Sequence, residues 1–147
     1  MGKLKIVTWV LMAIAVQSCV VVDRDDTVSC GGSHRLRVID LDMSPDPLRE
    51  GRPIDKWLVR LRADASGECR TTLRIREASG DEVGRERVYR LRPGINEIEI
   101  EPNQRYRFTR GDHCFQVTAN IAGTTRAVDA ERRFCARQNA DRRWTMR

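Results

Sequence analysis

KWLVRLRADASGECRTTLRIREA, residues 56–78, alternates twice. Trp57, Val59, Leu61 and Ala63 recur at every second place, with Leu58, Arg60 and Arg62 between them. Successive side chains of a strand point to opposite faces, so this period gives one apolar face and one wet face. After the turn signal Ala65-Ser66-Gly67 the pattern returns. Cys69, Thr71, Leu73 and Ile75 share one face, and Arg70, Thr72, Arg74 and Arg76 share the other. An antiparallel sheet with one solvated side asks for this alternation.

The flanking chain carries the same signature. LRVIDLDM (36–43) reads as a first strand, stopped by Ser44-Pro45-Asp46-Pro47. RERVYRLR (85–92) is a weaker strand with Tyr89 and Leu91 inward. NEIEIE (96–101) puts Ile98 and Ile100 inward and Glu97, Glu99 and Glu101 outward. Between these two, Arg92-Pro93-Gly94-Ile95 suits a turn with positive φ at the glycine. A hairpin about Pro93-Gly94 is therefore expected, with Arg90 facing Glu97. HCFQVTANI (113–121) aligns Phe115, Val117, Ala119 and Ile121, and AVDAERRFCA (127–136) reads as the last strand. About seven strands and no helical period predict an all-β fold, an antiparallel β-sandwich. The domain is placed at 34–137, with 138–147 as a basic C-terminal tail whose one large apolar group is Trp144.

The N-terminus has a different character. Lys3 and Lys5 precede an apolar run from Ile6 to Val16, and Ser18 precedes Cys19. Eleven residues rise roughly 16 Å as a helix, about half of a hydrocarbon core of ~30 Å. This is the pattern of an export signal, 1–18, rather than of a permanent span. Val16-Gln17-Ser18-Cys19 resembles the lipobox of bacterial lipoproteins. The resemblance implies cleavage before Cys19, lipidation of Cys19, and a tether over 19–33. Several acyl chains on one cysteine imply lasting attachment. Val20 after the cysteine, where an aspartate would hold the protein at the inner membrane, implies an outer-membrane, periplasm-facing address. A second resemblance lies in SPDPLREGRPIDKWLVRLRADASGE (44–68), which is similar to the opening of immunoglobulin-like extracellular modules of bacteria.

Four further cysteines remain: Cys30, Cys69, Cys114 and Cys135. An even number in an exported chain predicts two disulfides, with three pairings open. A hairpin closing at Ala122-Gly123-Thr124-Thr125 would set Cys114 opposite Cys135, which leaves Cys30 for Cys69. That pairing is preferred.

Charge and chemistry narrow the function. All 24 arginines lie after residue 18 with one lysine, Lys56, against 21 acids, which leaves the mature chain at +4. The excess is mild, and few aromatics accompany it, so nucleic acid is not the expected partner. Arg60, Arg62, Arg70, Arg74 and Arg76 repeat at strand spacing and form a candidate anion-binding face, merged into one stripe if their strands are neighbours. Glu97, Glu99 and Glu101 are the groups that would neutralise it. Catalytic residues, metal ligands and cofactors are not predicted. His113 and Cys114 are neighbours on a strand and point to opposite faces. Asp40 and Asp42 share a strand face but read as a solvated strand end. Arg110-Gly111-Asp112 matches an adhesion tripeptide but is also ordinary turn chemistry. The expectation is a non-enzymatic envelope lipoprotein, held to the membrane by lipid, whose partner is an envelope protein or anionic envelope polymer. A ligand- or carbohydrate-binding accessory domain is the alternative, and a periplasmic hydrolase inhibitor a more distant one. A carbohydrate reader should expose Trp57 or Tyr89, and both are placed inward.

Overall fold

The computed structural model describes residues 35–122 and 129–147. Within them the chain forms β1 (Arg35–Ser44), β2 (Leu48–Arg49), β3 (Lys56–Asp64), β4 (Cys69–Glu77), β5 (Glu82–Leu91), β6 (Gly94–Ile100), β7 (His113–Ile121), β8 (Ala130–Gln138) and β9 (Arg143–Met146). The described residues form nine strands, where about seven were expected. All pairs are antiparallel. Sheet A has the order β1-β3-β6, and sheet B the order β2-β9-β8-β7-β4-β5.

The alternation read at 56–78 sets the core. Trp57, Val59 and Leu61 of β3, Leu73 and Ile75 of β4, and Phe115 and Val117 of β7 are fully buried. Inner faces of two twisted sheets interdigitate in this way. The rings of Trp57 in sheet A and Phe115 in sheet B meet edge-on at 4.9 Å. The Trp57 indole N–H donates to the Val83 carbonyl at 3.0 Å, so its polar end is satisfied inside.

One side of the sandwich is closed by β5 itself. Its first residues pair with β4 and also bond the chain beyond β6: the Arg85 N–H donates to Glu101 O, and the Asn103 N–H to Val83 O, each at 2.8 Å. Gly84 permits this approach, because a Cβ there would lie 3.2 Å from the side chains of both Ile75 and Ile100. The opposite side is held by Arg132. It leaves β8 toward sheet A, donates to the Ile39 carbonyl at 2.6 Å beside the β1 bulge, and covers the Phe134 ring at 5.1 Å.

The expected hairpin of residues 85–92 with 95–101 does not form. β5 pairs with β4, and β6 with β3, so the chain changes sheets between them. Arg90 stands opposite Arg70, and Glu97 opposite Arg60. Gly94 has the positive φ required (98°). The Asn96 amide closes the corner, accepting from Arg92 N–H at 2.9 Å and donating to Arg92 O at 2.8 Å. A turn sequence fixes the corner and not the partner of the strand that leaves it.

Residues 138–147 are not a free tail. β9 lies between β2 and β8, with Leu48 opposite Trp144. Trp144 is fully buried, and its indole N–H donates to Gly111 O at 2.7 Å. The same face of β9 brings Met146, partly buried, against the core beside this ring. Asp46 ties the end of β9 by accepting the Met146 N–H at 3.2 Å.

Cys114 and Cys135 form the expected disulfide, from directly opposed positions of β7 and β8 with Cα atoms 4.0 Å apart. Cys69 is also disulfide-bonded and fully buried. Its preferred partner Cys30 lies outside the described residues, as do Cys19, the signal 1–18 and the tether 19–33.

Two stability predictions follow from polar groups in this frame. Thr71 is fully buried in the core, and among the described residues its hydroxyl has no hydrogen-bond partner. An unpaired buried hydroxyl costs about 1–3 kcal/mol. Thr71→Val keeps the shape and removes the hydroxyl, so it is expected to stabilise by about 1 kcal/mol and raise the melting temperature by about 4 °C. Calorimetric melting of the two proteins checks this. The second concerns Asp46. Burial, with Asp42 beside it, raises its carboxyl above the ordinary 3.8. As pH climbs through the interval above 3.8, the unfolded chain releases this proton before the folded one, so stability is lost across that interval and stays lost above it. Asp46→Asn removes this loss. Denaturant unfolding of both proteins across the interval should show the variant gaining relative to wild type as pH rises.

Candidate functional site

The arginines picked out by their spacing do point outward, but they do not share one face. Arg60 and Arg62 belong to β3 in sheet A, and Arg70, Arg74 and Arg76 to β4 in sheet B. The inner faces of these sheets meet, so the two sets lie on opposite outer surfaces of the sandwich, and the merged stripe does not exist.

On sheet A the arginines picked out by spacing are paired with carboxylates, although Arg37 of β1 stands directly opposite Arg62 and has no carboxylate at ion-pair distance among the described residues. Register places Arg60 between Asp40 of β1 and Glu97 of β6, with the Glu97 carboxylate 3.5 Å away. Lys56 pairs with Glu99 at 2.5 Å, and Arg62 with Asp64 at 2.9 Å. These exposed pairs contribute little to stability but cancel the local field. Asp40 and Asp42 accept the N–H of the residue that follows each of them, Leu41 at 3.0 Å and Met43 at 2.8 Å.

Sheet B is different. Arg70 stands directly opposite Arg90 with neither paired to a carboxylate among the described residues, and the row Glu82–Arg76–Gln116–Arg133 crosses β5, β4, β7 and β8. Like charges directly opposed are destabilising. Among the described residues none of these four arginines has a carboxylate at ion-pair distance; Arg74, paired with Glu86, is the exception on β4. Thr72, Thr118 and Asn120 fill the ground between them. A recess of about 370 Å³, bordered by Gln116, Glu131 and Arg133, opens beside the Cys114–Cys135 bridge. Flat, polar and basic, this surface is suited to an extended anionic chain. Neither Arg90, expected instead to face Glu97, nor Arg133 was among the arginines assigned to the anion-binding face from spacing. Their places opposite β4 and β7 follow from pairing that alternation does not encode.

His113, the one histidine among the described residues, is engaged by its neighbours. It is buried; its Nδ1–H donates to Glu77 Oε1 at 2.5 Å, and the Tyr106 hydroxyl donates to the same oxygen at 3.0 Å. Burial, then Glu77, push the Tyr106 hydroxyl far above the usual tyrosine range. Nε2 meets the backbone of Thr109, 3.0 Å from its carbonyl and 3.2 Å from its N–H. The Thr109 hydroxyl is farther, at 3.5 Å. The ring therefore clasps the loop before β7 to the end of β4, while Cys114 beside it is oxidised. Arg110-Gly111-Asp112 is part of the same docked loop. The Gly111 N–H donates to Gln138 Oε1 at 3.1 Å, and Asp112 Oδ1 accepts the Gln138 N–H at 3.0 Å.

Among the described residues no group of three or more His, Cys, Asp and Glu converges as for a metal ion. No family model and no curated protein matches this chain.

Proposed function

We propose that the chain is an exported, lipid-anchored interaction module of the bacterial cell envelope, facing the periplasm from the outer membrane, with no catalytic role and with an immunoglobulin-like sandwich as its body. Its outer sheet-B surface docks an anionic envelope polymer. The observation that carries the docking surface is the opposition of Arg70 and Arg90 with no carboxylate of the described residues at ion-pair distance from either. Such a pair is maintained at a cost to the fold, and a polyanion relieves it. The lipobox resemblance at Val16–Cys19 supports the anchor, and the oxidised Cys114–Cys135 pair supports an oxidising compartment. The full burial of Trp57 weighs against the carbohydrate-binding alternative, and Tyr89, the other ring that alternative needs, is half-buried against the core.

Binding to purified lipopolysaccharide and to peptidoglycan sacculi, in separate arms, tests the docking surface. Arg70→Glu with Arg90→Glu is expected to weaken binding at least tenfold, while Arg60→Gln, at a residue paired with Glu97 on the opposite surface, leaves it unchanged. Equal binding by wild type and the double variant, both folded, overturns the reading.

A further inference from the structure

At the far end of sheet B a second basic feature has a closed geometry. β8 returns into β9 through a tight turn held by Asn139. Its side-chain Oδ1 accepts the N–H of Asp141 at 3.0 Å and of Arg143 at 2.9 Å, and its own N–H donates to Arg143 O at 2.8 Å. Arg142, inside this turn, has φ 55° and is the one non-glycine residue of the described chain at positive φ. Glycine or asparagine fills such a place with less strain. A strained backbone kept beneath an arginine points to a use for that side chain.

The surroundings indicate the use. Glu50, Arg110, Gln138, Asn139, Ala140 and Arg142 line a cavity of about 440 Å³. Two of the lining groups are guanidiniums, which only donate. Two are amides whose oxygens are already occupied: Gln138 Oε1 by the Gly111 N–H, and Asn139 Oδ1 by two backbone N–H groups. That leaves their NH₂ groups as the ends open to a ligand. The one acceptor is Glu50, whose carboxylate lies 3.6 Å from Arg142, with both side chains more than half exposed. Directly opposed Arg49 and Arg143, on the strands that adjoin the turn, raise the local positive potential.

We infer that this cavity is a binding site for a small phosphate-bearing dianion, held between Arg110 and Arg142 by their paired N–H donors and by the amides of Gln138 and Asn139. Glu50 is the built-in competitor, occupying Arg142 until the ligand displaces it. Two arginines against one carboxylate favour a dianion over a monocarboxylate, and planar guanidinium forks match phosphate oxygens two at a time. The site is separate from the sheet-B surface and does not depend on the envelope reading.

Calorimetric titration of the full-length protein tests it, with pyrophosphate and glycerol 1-phosphate in separate arms and acetate as control, all at constant ionic strength. Saturable binding in either phosphate arm and none with acetate is expected, and the tighter arm distinguishes free diphosphate from a phosphate ester. Arg142→Gly and Arg110→Gln should each weaken it at least tenfold, and Glu50→Gln should tighten it several-fold. Arg142→Gly also relieves the positive φ, so it should melt no lower than wild type, and its loss of binding cannot then be laid to unfolding. No saturable heat with either phosphate, or wild-type affinity in Arg142→Gly, overturns the proposal.

Discussion

Trp144→Ala is expected to destabilise the protein by about 3–5 kcal/mol, the range for deleting a fully buried large aromatic. The ring is enclosed between the inward face of β9 and its neighbours, at 5.4 Å from the Phe108 ring, and its N–H satisfies the Gly111 carbonyl. Alanine leaves a cavity and an orphaned acceptor together. Against a total of about 5–15 kcal/mol, such a loss moves the melting temperature by more than about 10 °C. Truncation before Asn139 should be more damaging still, because it removes β9 and uncovers β8. A free basic tail would respond to neither change. Thermal melts followed by far-ultraviolet circular dichroism separate the two cases.

The second large effect is expected from the double replacement Cys114→Ala with Cys135→Ala. The bridge joins residues 21 apart in sequence. Closing a loop of this size removes about 3 kcal/mol of conformational freedom from the unfolded chain. Replacing both cysteines, rather than reducing the protein, leaves the bond at Cys69 intact and isolates this contribution. Denaturant unfolding should show the midpoint falling with the free energy. A difference below about 1 kcal/mol would mean that the unfolded chain is already constrained there.

The β-strands and their inward faces were legible because β3, β4, β6 and β7 alternate without interruption. Every inward residue read from residues 57–63, 98–100 and 115–121 is buried. Strand partners were less legible. Ile98 and Ile100 specify which face of β6 is apolar, but β3 and β5 offer equally good neighbours to that face. Sequence adjacency favoured β5, and packing chose β3. β9 escaped notice because one tryptophan among arginines has no period. The Cys114–Cys135 bridge was legible through a hairpin register that did form.

For the candidate sites the same limit applies. Spacing showed that Arg60 and Arg74 point outward but not that their strands lie in different sheets, which divides a supposed stripe between two opposite surfaces. Arg132 was hidden by lying on the inward side of a strand, where an arginine breaks the pattern; its guanidinium crosses the edge to bulge carbonyls that no motif announces. Arg142 was hidden because its positive φ is carried by a residue type that does not advertise it.

Intact mass of the protein purified from its native envelope, alkylated without reduction, tests most directly the claim that this is an oxidised, lipid-tethered chain. The account predicts loss of residues 1–18, added diacyl or triacyl mass on Cys19, and no alkylation at Cys30, Cys69, Cys114 or Cys135. A chain that keeps Met1, carries an unmodified Cys19 and takes up label at the remaining cysteines would contradict it.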